Sequence, residues 1–204
     1  MVPTKRDKMK SQLKHSEYSL NPHEVRHIIN SAESFRDRLI IKCLYYGGMR
    51  VGEVERLEVQ DIDFMRNVIH IRHSKNDKTR SIPFIDSDFK SDIRHFIGPK
   101  TKDRIFKISK RQMQNVVRNV GNTANLKHPN PGNKYINCHL FRHSIARHLK
   151  GAKYQLEWIQ KFLGHTKLET TADQYGTISL NEMQLELVQK GGDRSLLPYK
   201  EAER

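Results

Sequence analysis

Residues 138–149 read Cys-His-Leu-Phe-Arg-His-Ser-Ile-Ala-Arg-His-Leu, the densest run of chemically useful side chains in the chain. Read as a helix, the run turns Ile145, Ala146 and Leu149 toward a core. His139 and Arg142 stand three apart, so they share a face and can converge on one point. An Arg fork matches phosphate oxygens bidentately, and an imidazole moves protons near neutral pH. Two other readings compete. His139 and His143 have the i, i+4 spacing of a metal pair, but the Glu of an HExxH helix is missing and no third ligand stands nearby. His143 and His148 read better as structural residues.

Downstream, Phe162-Leu163-Gly164-His165 ends another helix on a glycine, and its His is either a C-terminal cap or a phosphate ligand. Ten residues later comes Tyr175, in Thr170-Thr171-Ala172-Asp173-Gln174-Tyr175-Gly176. A lone Tyr is usually a packing residue, and its phenol is a poor nucleophile unless cations or a base assist.

Upstream, Gly48-Met49-Arg50-Val51-Gly52-Glu53 places Arg50 at the mouth of a helix directly after a Gly-Gly turn, with Leu57 further along. Taken alone, Arg50 reads as a surface residue. Beyond it the hydrophobic period shifts to two at Val68, Ile69 and Ile71. A polar turn, Ser74 to Lys78, and Ser81-Ile82-Pro83-Phe84 follow, as in a hairpin whose Pro marks an edge. Lys75 sits in that turn, with Lys78 and Arg80 as neighbours that compete for any role it has.

The remaining helices follow from their caps. Asn21-Pro22-His23-Glu24 forms a capping box. A second helix carries Phe35, Leu39, Ile40, Cys43 and Leu44 and stops at Gly47-Gly48. Another runs from about 86 to 97. Ser109 and Gln112 open a helix that extends to Val120, with Gly121 past its end. Residues 122 to 136 are a loop rich in Asn, Pro and Gly, and the last helix spans roughly Leu180 to Val188.

Composition narrows the partners. Lys and Arg number 37 against 23 Asp and Glu, a formal net charge of +14. Such a balance points to a polyanion, nucleic acid first. No long apolar stretch, signal peptide or lipidation motif supports a membrane. Cys43 and Cys138 are not in a CxxC pair, so the expected compartment is the cytoplasm, in association with the nucleoid.

The ordered set decides more than any member. It resembles the catalytic domain of the tyrosine recombinase family, which includes phage integrases and chromosome-dimer-resolving recombinases. The first box of that family is matched by Gly48, Arg50, Glu53 and Leu57, and the hairpin lysine best by Lys75. The His-x-x-Arg box is matched by His139, Phe141, Arg142, His143, Ser144 and Ala146. Leu163, Gly164 and His165 match the third box, and Tyr175 the nucleophile. The resemblance covers about residues 20 to 190.

It implies a mainly α fold with a small antiparallel β-sheet. It implies a site-specific recombinase that joins Tyr175 to DNA through a 3′-phosphotyrosyl bond, with catalytic Arg50, Lys75, His139, Arg142, His165 and Tyr175. It implies no cofactor, no ATP and no metal. The partner is double-stranded DNA, on which copies assemble as a tetramer through the C-terminal helix, with Met183, Leu187 and Val188 as its apolar face. The rival for that face is packing on the helix's own domain. A type IB topoisomerase and an accessory DNA-binding protein are the competing functions. The expected layout is a basic arm or truncated linker over 1–20, one catalytic domain over 21–190, and a polar tail over 191–204. The family usually carries a further N-terminal domain that clamps the other face of the DNA. Delivery of Tyr175 in cis or in trans stays open.

Overall fold

Asn21 sets the first helix as its sequence predicts. A computed structural model of the chain describes residues 18–72, 79–164 and 180–189. In helix α1 (Pro22–Ser31), the Glu24 N–H donates to the Asn21 side chain at 2.9 Å and the Asn21 N–H donates to the Glu24 carboxylate at 2.7 Å. The two bonds satisfy amides that a helix start otherwise leaves unpaired.

Helix α2 (Phe35–Tyr45) buries Leu39, Ile40, Ile41, Cys43, Leu44 and Tyr45. From Leu39 on the helix is apolar apart from Lys42 and is enclosed by its neighbours, while Arg36 near its start stays exposed. Around it pack α1, α3 (Val51–Arg56), α4 (Ser87–Ile97), α5 (Lys110–Thr123) and α6 (Cys138–Gly151). The Tyr45 hydroxyl meets His148 Nδ1 at 2.6 Å, which ties α2 to α6 and gives His148 the structural role expected for it. Ser144, fully buried on α6, donates to the Leu140 carbonyl at 2.8 Å and accepts the Leu20 N–H at 2.9 Å. One hydroxyl thus pins the approach to α1 onto the helix that carries His139 and Arg142, without a buried polar atom left unpaired.

The sheet is antiparallel, in the order β1 (Ile62–Asp63), β2 (Val68–Ile71), β3 (Arg80–Pro83). Ile69 pairs with Ile62 on one side and Ile82 on the other, and Ile71 pairs with Arg80. Pro83 lies on edge strand β3, where its missing N–H removes no ladder bond. Strand β1 has two residues, too few for a period of two to register in sequence.

One helix end differs from the sequence reading, and one apolar face is divided. Helix α5 runs through Gly121 to Thr123, so Gly121 does not stop it. Gly121 is buried because Ile136 packs against it: an added Cβ lies 2.8 Å from Ile136 Cβ and 2.9 Å from its Cγ1. The glycine serves a close approach of the 124–137 loop to the helix. The C-terminal helix α8 (Leu180–Gln189) packs on its own domain through Met183 and Leu187, and Trp158 Nε1–H of α7 (Leu156–Leu163) donates to the Met183 carbonyl at 3.2 Å. Val188 stays 75% exposed and Leu185 57%. The apolar face expected on this helix is therefore divided between its own domain and solvent.

Architecture and class agree with expectation: mainly α, with one small antiparallel sheet. Among the described residues no helix is long and apolar enough to cross a membrane.

Gly121→Ala tests the close approach. Ala raises helix propensity by about 1 kcal/mol over Gly, while forcing a methyl into filled space costs about 1–3 kcal/mol. The expected net result is a lower denaturant midpoint at unchanged m-value. A raised midpoint would show that the loop is not seated on α5.

Candidate active site

Arg50 is the N-cap of α3, held by the side chain three residues on. The Arg50 N–H donates to Glu53 Oε2 at 2.8 Å and Arg50 Nη1 donates to Glu53 Oε1 at 3.0 Å. The Arg50 side chain keeps 34% of its surface in solvent, whereas Glu53 keeps 1%. Arg50 Nη2 also reaches the Gly164 carbonyl, at 3.5 Å. The turn before α3 is crowded. Gly48 has φ +54°, and a Cβ there would lie 2.8 Å from Phe162 Cε1 and 2.9 Å from Leu163 Cδ2. Only glycine meets both demands.

Arg142, on α6, is buried at 3% exposure. Its Nη1 donates to the Gly48 carbonyl and its Nη2 to the Leu163 carbonyl. The guanidinium therefore clasps the turn before Arg50 to the end of α7. Two of its five N–H donors are engaged in this way. Burial, then the charges of Arg50 and Arg80, lower its pKa to about 9, against the opposing pull of Glu53. Arg142 is thus a cation at neutral pH, and among the described residues only these two of its N–H groups meet an acceptor.

His139 lies one turn ahead of Arg142 on the same helix, whose start is capped by Asn137: the Leu140 N–H donates to Asn137 Oδ1 at 3.1 Å. Partial burial of the ring, then His143, Arg142 and Arg50, lower its pKa to about 4. The His143 ring stands edge-on at 4.4 Å between centroids. Among the described residues no group of three or more His, Cys, Asp or Glu side chains is placed to hold a metal ion.

Arg80, weighed from the sequence only as a neighbour competing with Lys75, has a different place. Its Nη1 and Nη2 donate to Glu53 Oε1 and Oε2, each at 2.9 Å, and its Nε donates to the Phe162 carbonyl at 3.1 Å. Gly164, at φ +65°, passes so close that a Cβ would sit 2.7 Å from Arg80 Cδ. Arg80 therefore points inward, with 8% of its side chain exposed. Its signal was the strand alternation: Arg80 lies two residues before Ile82, which is fully buried, so it shares the inward face.

Burial alone would raise the Glu53 pKa. Hydrogen bonds and charge from Arg80, with the Arg50 N–H and the charge of Arg142, outweigh it and hold Glu53 at about 2. The site thus has three guanidiniums, one ionised carboxylate and a neutral imidazole at its edge. The structure brings Arg50, His139 and Arg142 together. Lys75, His165 and Tyr175 lie outside the described residues, as does Lys78.

This arrangement is found in a chain whose residues 18–182 match the model of the phage integrase family. The chain belongs to that family. Tyrosine recombinase XerA of Pyrococcus furiosus is 30% identical over 166 residues, spanning 75% of this chain and 55% of the relative. The chain spans about half the length of the curated relatives it matches. The fold is that of a crystal structure of XerA recombinase, with TM-score 0.63 and 22% identity over 84% of this chain and 64% of that one. It is also that of the Tn1549 transposon integrase in complex with transposon right end DNA, with TM-score 0.60 and 16% identity over 84% and 65% of the two chains. The integrase-family fold expected from the motifs is thus found over residues 18–182.

The low His139 pKa has a checkable sign. A His whose pKa falls on folding binds fewer protons folded than unfolded between about 4 and the unperturbed value near 6.5. Stability linked to His139 is therefore present above that window and is lost as pH falls through it. NMR titration of the ring is expected to give a midpoint well below 6.5, and His139→Asn should lose less stability than the parent between pH 6.5 and 4. A midpoint at or above 6.5 would contradict the geometry.

Proposed function

We propose that the chain is the catalytic domain of a site-specific DNA recombinase that cuts and rejoins duplex DNA through a covalent bond on Tyr175. The carrying observation is the convergence of Arg50 and Arg142, both with N–H groups to spare, beside a neutral His139. Two cations and an uncharged proton acceptor are what a phosphodiester needs in order to be attacked. The net charge of +14 supports a duplex as substrate, and the Tn1549 integrase, of the same fold, is described in complex with DNA.

In this reading the Tyr175 oxygen attacks the scissile phosphorus and forms the 3′-phosphotyrosyl bond, while the phosphorus–O5′ bond breaks. Arg50, Arg142 and His165 hold the non-bridging oxygens. His139 accepts the phenol proton, and Lys75 gives a proton to the departing 5′-oxygen. A 5′-hydroxyl from a partner strand then reverses the step. The bond energy is kept in the protein–DNA link, so the cycle consumes no nucleotide. Such an enzyme works at the nucleoid of the cytoplasm.

The test is covalent capture from a randomised duplex library carrying nicks, with adducts retained under denaturing conditions and sequenced. The protein is expected to enrich one shared sequence, and Tyr175→Phe to retain nothing. An adduct persisting in the variant would remove Tyr175 from the nucleophile's role. Adducts without a shared sequence, together with relaxation of any supercoiled plasmid, would favour the topoisomerase reading. No adduct at all would favour an accessory DNA-binding protein.

The same reading has copies assembling on one duplex as a tetramer, with α8 as the contact. Leu185 and Val188 remain exposed beside the buried Met183 and Leu187, which supports it. Replacing both exposed residues with Glu should leave single-copy binding intact and abolish the larger complexes in native mass spectrometry of the captured duplex. Unchanged assembly would move the contact elsewhere.

A further inference from the structure

Arg80 has no part in the proton transfers and makes no use of solvent, yet it is the best-paired cation in the site. Its side chain is 8% exposed and its three inner donors are all taken, two by Glu53 and one by the Phe162 carbonyl. Glu53 is otherwise bonded to Arg50. One carboxylate thus stands between two guanidiniums, and only one of them, Arg50, is open to solvent.

We propose that Arg80 is a positioning residue that neutralises Glu53, leaving the charge of Arg50 free for a phosphate. This rests on the recombinase reading above. Three guanidiniums and one carboxylate leave two net positive charges in the cluster. A phosphodiester carries one negative charge, and the pentacoordinate state gains a second as the phenol gives up its proton. The cluster's two excess charges therefore oppose the added anion, beside the charges that Lys75 and the newly protonated His139 carry in that reading. Without Arg80, Glu53 has Arg50 as its bonded partner, and a buried carboxylate draws its remaining cation inward. The site then offers one net charge, and its solvent-facing guanidinium is tied down.

A second consequence is geometric. Arg80 joins β3, which follows Lys75 in the chain, to α3 through Glu53 and to the end of α7 through the Phe162 carbonyl. Gly164 lacks a side chain where Arg80 passes. Three segments of the site thus share one guanidinium.

The experiment compares Arg80→Met, Arg80→Lys, Glu53→Gln and the Arg80→Met/Glu53→Gln double variant on the captured duplex. Single-turnover cleavage at saturating DNA is read beside DNA affinity and melting temperature. Arg80→Met is expected to slow cleavage about 100-fold, the scale of losing one preorganised charge contact, with DNA affinity little changed. Adding Glu53→Gln should recover about tenfold of that rate, because the carboxylate no longer competes for Arg50. Arg80→Lys keeps the charge but not the fork and should fall between. A double variant as slow as Arg80→Met, or rates that merely follow melting temperature, would reduce Arg80 to a structural brace and overturn the proposal.

The ion-pair arm needs no DNA. The 15N shifts of the Arg50 guanidinium should move on Arg80→Met, or on Arg80→Gln should Arg80→Met fail to fold, and stay near the parent's on Arg80→Lys, which keeps the charge. Absence of movement refutes the neutralisation. Absence of any adduct with the parent protein refutes the recombinase reading instead.

Discussion

A single buried carboxylate organises this site. Glu53 is almost wholly out of water, and an isolated charge in that position would cost several kcal/mol. Its two oxygens take four N–H bonds, two from Arg50 and two from Arg80. Meeting that need fixes the start of α3, the inward face of β3 and, through the third donor of Arg80, the end of α7. Arg142 adds a second bracket by holding the Gly48 and Leu163 carbonyls. Gly48 and Gly164 are glycines because these elements press together there, and because both backbones have positive φ.

The two arginines singled out from the sequence accordingly do two jobs. Each is part of the internal frame, and among the described residues each has N–H groups beyond those the frame uses. Arg142 has the larger structural share: it is buried, and its two carbonyl bonds join elements far apart in sequence. On the proposed reaction its replacement therefore confounds chemistry with folding, whereas Arg50, one-third exposed, reports more directly on phosphate contact. His139 complements them because burial first, then His143 and the charges of Arg142 and Arg50, hold it neutral. An arriving phosphate offsets those charges and raises the affinity of the ring for a proton at the moment one must be accepted.

The legible parts of the sequence were those whose signal is local. The Asn21 capping box, the apolar run of α2 and the i, i+3 pairing of His139 with Arg142 need only a few residues to be recognised. The integrase resemblance added the order in which the boxes occur. Arg80 was obscured because its neighbours Lys78 and Thr79 make the stretch look like a solvated turn, and its partner Glu53 is 27 positions away. Gly121 was read as a helix stop because glycine commonly is one; its reason, the Ile136 side chain, lies across a loop. Strand β1 and the division of the α8 face between Met183 and Val188 follow from tertiary packing and have no signature of their own.

The most direct measurement of the whole account is a crystal structure of the Tyr175→Phe protein on its captured duplex. Arg50 and Arg142 are expected within hydrogen-bond distance of the non-bridging oxygens of one phosphate, with the His139 ring beside the phenyl of residue 175. Arg80 is expected still to be paired with Glu53. A phosphate held by Arg80, or one bound away from Arg50 and Arg142, would contradict the account.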